Sequence, residues 1–421
     1  MADASSAHLQ HNGNSSRKLR LENLPSEICD LILACLDSAA PSEQRFCDEP
    51  TFELVKSDTR PLKTLSQVSR AWRYLTLPWL FRHVTYCITA DPFTEGLYPT
   101  VAFHIGREAR RLNSFLEKHS LHRYVSSLVV YTTEDVCYGY LDRESRIFTA
   151  DEKGEASLAD ALWPVLLSSL NPDRVVILAP PLSLGSLTDG VHVDTKHAWA
   201  FDSPLQSLQV SKKRRPYGQK SLTHNGSAER LFDGRQWSEL AVNEGSFIRA
   251  YSTYEYFLKE KPSTIPSLHW RALYGSNFFR QLTSLHYNAI FPFYNTLELF
   301  LNLARICPNV TRLSMQLAPS LKSGLLTNKE RIGTSDLRDM WMELESGYQL
   351  IIFAIKDMTR EGNLREFRSL DYVSWPDDLK AVLDEGISDD TLGWQPREPG
   401  YWATAWPFNA ELSNSVTTGE G

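Results

Sequence analysis

The feature that most constrains this 421-residue chain is a short apolar pattern that keeps returning along it. Apolar residues spaced apolar-x-x-apolar-x-apolar occur at Val125, Leu128 and Val130, at Leu205, Leu208 and Val210, and at Leu282, Leu285 and Tyr287. They recur at Val310, Leu313 and Met315, and at Phe367, Leu370 and Tyr372. Alternate residues of an extended chain point to one face, so each copy predicts a strand with a buried side. Val175 and Ile177 share only the second half of the pattern, because Pro172 takes the first slot. Start-to-start offsets from 125 through 172, 205, 282, 310 and 367 are 47, 33, 77, 28 and 57. The two largest are close to twice the small ones, as though a weaker copy lay in each gap.

Helical signals precede most copies. Leu112, Phe115 and Leu116 share one face within 108–119, and 158–170 is a further apolar helix that Pro164 should kink or start. The clearest unit runs from Leu297 to Met315, with Leu299, Phe300, Leu303, Ala304 and Ile306 on a helix before Cys307-Pro308-Asn309-Val310. It resembles the cysteine-containing leucine-rich repeats, although the Asn or Cys expected after the strand is missing. The resemblance implies an α/β fold, an irregular leucine-rich-repeat-like solenoid over 100–408. One helix-strand unit cannot bury both its faces, so neighbours stack and share a core. An ordinary α/β or α+β domain is the alternative.

Several stretches interrupt the pattern. The basic run from Lys212 to Arg215 sits in polar sequence and reads as a solvated loop, or as a nuclear-import or acidic-partner contact. Residues 229–260 read as helical, with Phe247, Tyr251, Tyr254 and Leu258 at four- and three-residue steps as a core stripe. After the acidic positions Asp377, Asp378, Asp384, Glu385, Asp389 and Asp390 come Trp394, Trp402 and Trp406. Those tryptophans suit a cap over the open end of an array, or an exposed interface anchor.

The N-terminal part carries a different signal. Ile28, Leu31, Ile32, Cys35 and Leu36 fall at i, i+3, i+4, i+7 and i+8, an amphipathic helix. Pro25 suits its first turn, and Glu27 and Asp30 complement its dipole. Leu62, Leu65, Val68 or Ser69, Trp72 and Leu75 predict a second helix, with Pro78 closing it or starting the next turn. Leu24-Pro25-Ser26-Glu27-Ile28, this second apolar series with Arg70-Ala71-Trp72, and Pro78-Trp79-Leu80-Phe81 resemble an F-box over 19–84, with an unusual insertion at 38–60. The resemblance implies docking on a Skp adaptor, itself joined to a cullin scaffold, while the C-terminal region holds a target protein for ubiquitin transfer. Position by position it implies an adaptor face of Leu24, Pro25, Ile28, Leu31, Ile32, Leu65, Val68 and Trp72. Ile32 and Trp72 have an alternative role in knitting the helices together. An insertion folded over Ile28 and Leu31 would block that face.

Chemistry is not called for. No Gly-x-Ser-x-Gly, phosphate loop or His-Glu-x-x-His occurs. His119-x-x-His122 lacks a third ligand nearby, and His192 and His197 fall in a loop pattern, so no metal or cofactor is expected. A net charge of -7 argues against a dedicated nucleic-acid binder. Six cysteines at 29, 35, 47, 87, 137 and 307 form no Cys-x-x-Cys pair, and no apolar run reaches the ~18 residues of a membrane span. The N-terminus lacks the pattern of a signal peptide, and polar tails at 1–18 and 409–421 are expected to be disordered. The expectation is a non-catalytic cytoplasmic or nuclear protein, a substrate-recognition subunit of a Skp-cullin-F-box ubiquitin ligase. The alternatives are a non-degradative interaction scaffold and an α/β hydrolase.

Overall fold

The computed structural model describes residues 24–89, 98–133, 158–188, 193–202, 205–212, 230–233, 235–388 and 392–404. Expectations for the tails 1–18 and 409–421, for 213–215 of the basic run, and for Cys137, His192, Asp389, Asp390 and Trp406 lie outside the described residues. The chain divides into two compact units. Among the described residues, 24–38 with Asp58–Leu80 form a helical unit, and Ala39–Ser57 with those from Phe81 onward form a sheet unit. The insertion therefore belongs to the sheet unit, although the helical unit encloses it in sequence.

In the helical unit, α1 (Ser26–Leu36) begins with Pro25 as its N-cap, whose carbonyl accepts the N–H groups of Ile28 at 3.0 Å and Cys29 at 3.1 Å. Helix α2 (Pro41–Gln44) is the short helix of the insertion. The single helix expected after it is two, α3 (Arg60–Val68) and α4 (Arg70–Leu80). The break falls at Ser69, which is extended, with φ -154 and ψ 168. Its Oγ accepts the Trp72 N–H at 3.2 Å, so a serine cap overrides an apolar spacing that would have continued unbroken. Pro78 does not close α4; the helix runs two residues past it.

The sheet unit is built on ten strands among the described residues: β1 (His83–Ile88), β2 (Ser127–Thr132), β3 (Arg174–Ala179), β4 (Gln206–Ser211), β5 (Glu239–Ser246), β6 (Ser284–Ile290), β7 (Arg312–Gln316), β8 (Glu366–Ser369), β9 (Trp394–Glu398) and β10 (Tyr401–Thr404). They form one sheet in which β1 to β8 lie side by side in chain order, followed by β10 and β9. The pairing is mostly parallel; β4 runs against β3 and β5, and β10 against β8 and β9. The connections carry α5 (Tyr98–Lys118), α6 (Leu158–Ser169), α7 (Pro181–Leu187), α8 (Ile265–Leu273), α9 (Asn277–Gln281), α10 (Tyr294–Ile306), α11 (Lys329–Ile332), α12 (Leu337–Arg360) and α13 (Pro376–Ile387). The fold is α/β.

One expected weak copy is present in the 77-residue gap: Trp237, Leu240 and Val242 keep the spacing, and β5 forms there. The helix expected over 229–260 is thereby corrected. Leu240 and Val242 are held between β4 and β6, a pairing that a helix would forfeit. The aromatic steps that suggested a helix come from short 3₁₀ turns at Ile248–Ser252 and Tyr256–Leu258. Phe247 and Tyr251 are buried, whereas Tyr254 is 86% exposed. The 57-residue gap holds the 24-residue helix α12 and no strand. Trp402 stacks on Phe367 with ring centroids 5.9 Å apart, so the terminal hairpin β9–β10 closes the β8 edge.

The two faces of the sheet are covered differently. One is apolar and lies under helices: the Tyr86 hydroxyl donates to the Ile105 carbonyl of α5 at 3.0 Å, and the Tyr287 ring stacks on Phe300 of α10 at 4.6 Å. The other face receives the insertion. Phe46 packs on Val129, Val176 and Ala241, with Val55 beside it, and Leu54 packs on Leu178 and Leu205. Asn243 Nδ2 donates to the carbonyls of Phe46 at 2.6 Å and Asp48 at 2.8 Å. Arg174 donates to Ser42 at 3.3 Å, and Arg331 pairs with Glu49 at 2.5 Å. Phe46→Ala should cost roughly 3–5 kcal/mol of sheet-unit stability, and Asn243→Ala roughly 1–3 kcal/mol for two stranded carbonyls. Urea unfolding followed by tryptophan fluorescence measures both.

Candidate functional site

Helix α1 has two apolar sides. At 3.6 residues per turn, Cys29, Leu33 and Leu36 lie roughly 100° round the helix from Ile28, Ile32 and Cys35. The first side is inward: Cys29, Leu33, Leu62 and Trp72 form the buried core, with Leu24, Leu36, Leu65, Leu75, Trp79 and Leu80 packed against it. The second side is outward. Ile28 is 42% and Leu31 63% exposed, Cys35 is exposed, and Ile32 is half-buried.

The eight residues of the expected adaptor face thus separate. Leu24, Leu65 and Trp72 are brought together as core or core rim, and Trp72 is only 5% exposed. Pro25, Ile28 and Leu31 are presented to solvent at the start of α1, and Val68 is 67% exposed at the end of α3. Fully burying an Ile or Leu side chain is worth about 1.5–3 kcal/mol, so this open strip withholds several kcal/mol that a covering surface would recover. Cys29 and Leu33 were missed as the structural side of α1; their i, i+4 spacing was the available signal. The core partners of the insertion, Val129, Val176, Ala241, Leu178 and Leu205, are residues of the sheet unit.

On the insertion-bearing face of the sheet, backbone register lines up Ser127, Arg174, Ser211, Glu239, Ser284, Arg312 and Glu366 across seven strands. Five of these side chains are joined in hydrogen bonds within the row. Arg174 donates to Ser127 at 3.1 Å, Ser211 to Glu239 at 2.8 Å and Arg312 to Glu239 at 3.0 Å. His286 shares a 3.0 Å hydrogen bond with Ser284, and burial pushes its pKa down, which favours the neutral ring. The row is a polar, self-paired floor.

Where β7 and β8 end, a groove of about 710 Å³ opens between the insertion and two loops. Arg45, Asp48, Glu49 and Glu53 stand on the insertion side, and Leu321, Lys322 and Val373 on the loop side. Beneath it the Asp371 carboxylate accepts the Leu317 N–H at 2.5 Å, the Ala318 N–H at 3.1 Å and the Tyr348 hydroxyl at 2.6 Å. Burial outweighs those donors and pushes the Asp371 pKa up to about 7. Nearby, burial raises the Glu244 pKa although the Tyr287 hydroxyl donates to it at 2.6 Å. Lys261, pushed down to about 7 by burial, donates to the Ser246 carbonyl at 2.8 Å and lies over the Phe247 ring at 4.4 Å. These groups anchor loops at the strand ends. Among the described residues no group of three His, Cys, Asp or Glu side chains could hold a metal ion, and no helix is long and apolar enough to cross a membrane.

Comparison with models of protein families, with curated proteins and with solved structures finds no match to this chain.

The two sides of α1 separate in mutation. Trp72→Ala should remove roughly 3–5 kcal/mol from a unit with little core to spare, and raise amide exchange throughout α1, α3 and α4. Ile28→Ser should leave exchange unchanged. Asp371 binds a proton more tightly folded than unfolded, so its contribution to stability is fully present below about pH 4 and is lost as pH rises through about 7. The stability difference between wild type and Asp371→Asn, measured by urea unfolding, should therefore shrink from pH 4 to pH 8.

Proposed function

We propose that the chain is the substrate-recognition subunit of a Skp-cullin-F-box ubiquitin ligase. The helical unit docks the Skp adaptor and, through it, the cullin scaffold; the sheet unit holds the target protein. The observation that carries the reading is the division of α1 into a core side at Cys29 and Leu33 and a solvent-exposed strip at Ile28 and Leu31. A helix that served only its own core would have no need of the second side. Pro25 and the half-buried Ile32 flank that strip. Trp72 and Leu65 support the face from beneath instead of meeting the adaptor.

The sheet unit fits the second half of the proposal as an irregular leucine-rich-repeat-like array. Strands β1 to β8 are neighbours in chain order, and helices of the connections pack on one face. The reversed strand β4 is the main departure from a regular array. In this reading the protein performs no bond chemistry. It raises the effective concentration of target lysines near ubiquitin activated elsewhere in the assembly, in the cytoplasm or nucleus.

The test is capture of purified Skp adaptor by the full chain. Wild type should retain it. Ile28→Asp combined with Leu31→Asp should reduce capture at least about tenfold, because two carboxylates would be desolvated in the contact. The melting temperature should be unchanged, since neither side chain is in the core. Equal capture by wild type and double variant would remove the proposal.

A further inference from the structure

The groove at the ends of β7 and β8 is unusual in its walls. One wall is part of the insertion, and the other is formed by the loops carrying Leu321 and Val373. In open α/β sheets the ends of the strands are where connecting loops leave a crevice for a ligand. The size, about 710 Å³, is in the range of a ligand site.

Two properties of the lining select an occupant. The first is charge. Glu49 already holds Arg331 at 2.5 Å, and Glu53 holds Lys56 at 2.7 Å, with Arg45 also within its electrostatic reach. Arg45 and Lys322 are exposed, and among the described residues neither forms an ion pair. Against these two cations Asp48 is the one acidic liner without its own cation, so the balance of the remaining charge is positive and favours an acidic occupant. The second property is apolar surface. Leu321 is 62% and Val373 67% exposed, two large aliphatic side chains left uncovered beside Lys322. Two exposed cations set against the carboxylate of Asp48 match one or two acidic side chains, and are too few for a phosphodiester backbone with its unbroken run of negative charge. A wide, open trough between chain segments suits an extended backbone better than a compact small molecule.

We propose that this groove takes an extended, unstructured segment of a partner protein in which an aliphatic residue is flanked by acidic ones. The aliphatic side chain covers Leu321 and Val373, and the acidic ones pair with Arg45 and Lys322. This rests on the reading of the sheet unit as the part that holds the target, and it names the class of target segment. Because the insertion supplies one wall, the specificity of the site is written partly in the middle of the adaptor-docking region.

The test is fluorescence anisotropy of the full chain with two labelled octapeptides, Gly-Ser-Asp-Leu-Asp-Val-Ser-Gly and its counterpart with Lys in place of both Asp residues. The acidic peptide should bind, and the basic one at least about tenfold more weakly. Arg45→Glu with Lys322→Glu should reverse that preference, and Val373→Asp should weaken the acidic peptide; all three positions are exposed, and unchanged thermal unfolding confirms folding. Ile28→Asp with Leu31→Asp should leave peptide binding intact while losing adaptor capture, so loss of adaptor capture in wild type removes the ligase reading without touching the groove. The groove proposal is overturned if the basic peptide binds as well as the acidic one, or if neither binds at about 1 mM. It is equally overturned if the charge-reversal variant behaves as wild type, or if a ten-nucleotide single-stranded DNA binds more tightly than the acidic peptide.

Discussion

The contact on which much of this structure depends is the one between the insertion and the open face of the sheet, centred on Phe46 and Asn243. Phe46 covers Val129, Val176 and Ala241. Asn243 takes up the carbonyls of Phe46 and Asp48, which would otherwise be buried without donors. The apolar and polar parts of the contact reinforce each other. Remove the ring and the sheet is wet; remove the amide and the loop that carries the ring loses its register. The insertion, which in sequence looks like an interruption of one unit, is in packing terms a structural part of the other.

Four buried side chains, Cys29, Leu33, Leu62 and Trp72, are a small core, and a helix of eleven residues has few apolar positions to spend. Yet Ile28 and Leu31 remain in water. That exposed pair, which the unit's own core does not use, is the surface the proposed adaptor contact would cover.

Much of the sheet was legible in the chain. Six of the apolar patterns form strands, because alternation survives wherever one face is under helices and the other is polar or covered. β5 was hidden by competing signals: the aromatic spacing of Phe247, Tyr251 and Tyr254 imitates a helix, while the three residues that define the strand, Trp237, Leu240 and Val242, are diluted by polar neighbours. The split between α3 and α4 was hidden for a similar reason, since Ser69 sits inside an otherwise regular apolar series and its capping bond to Trp72 is a local decision. The division of α1 could be anticipated only as a stripe; which edge of it faces inward depends on α3 and α4. The groove was not legible at all, because its walls come from residues 44–54 and 320–374, which only the folded sheet brings together.

The discontinuity of the sheet unit has a consequence for how the chain is made. Phe46 and Asn243 are 197 residues apart. At roughly 5–20 residues per second, about 10–40 s separate the emergence of the insertion from that of the strand that receives it. During that interval α1, α3 and α4 can close on their own core, while Phe46, Leu54 and Val55 wait outside on a tethered loop. The nascent protein therefore carries an apolar segment whose partners arrive in stages, and a chain cut short before β5 would offer it Val129, Val176 and Leu178 without the Ala241 contact and the two Asn243 hydrogen bonds that complete its seat.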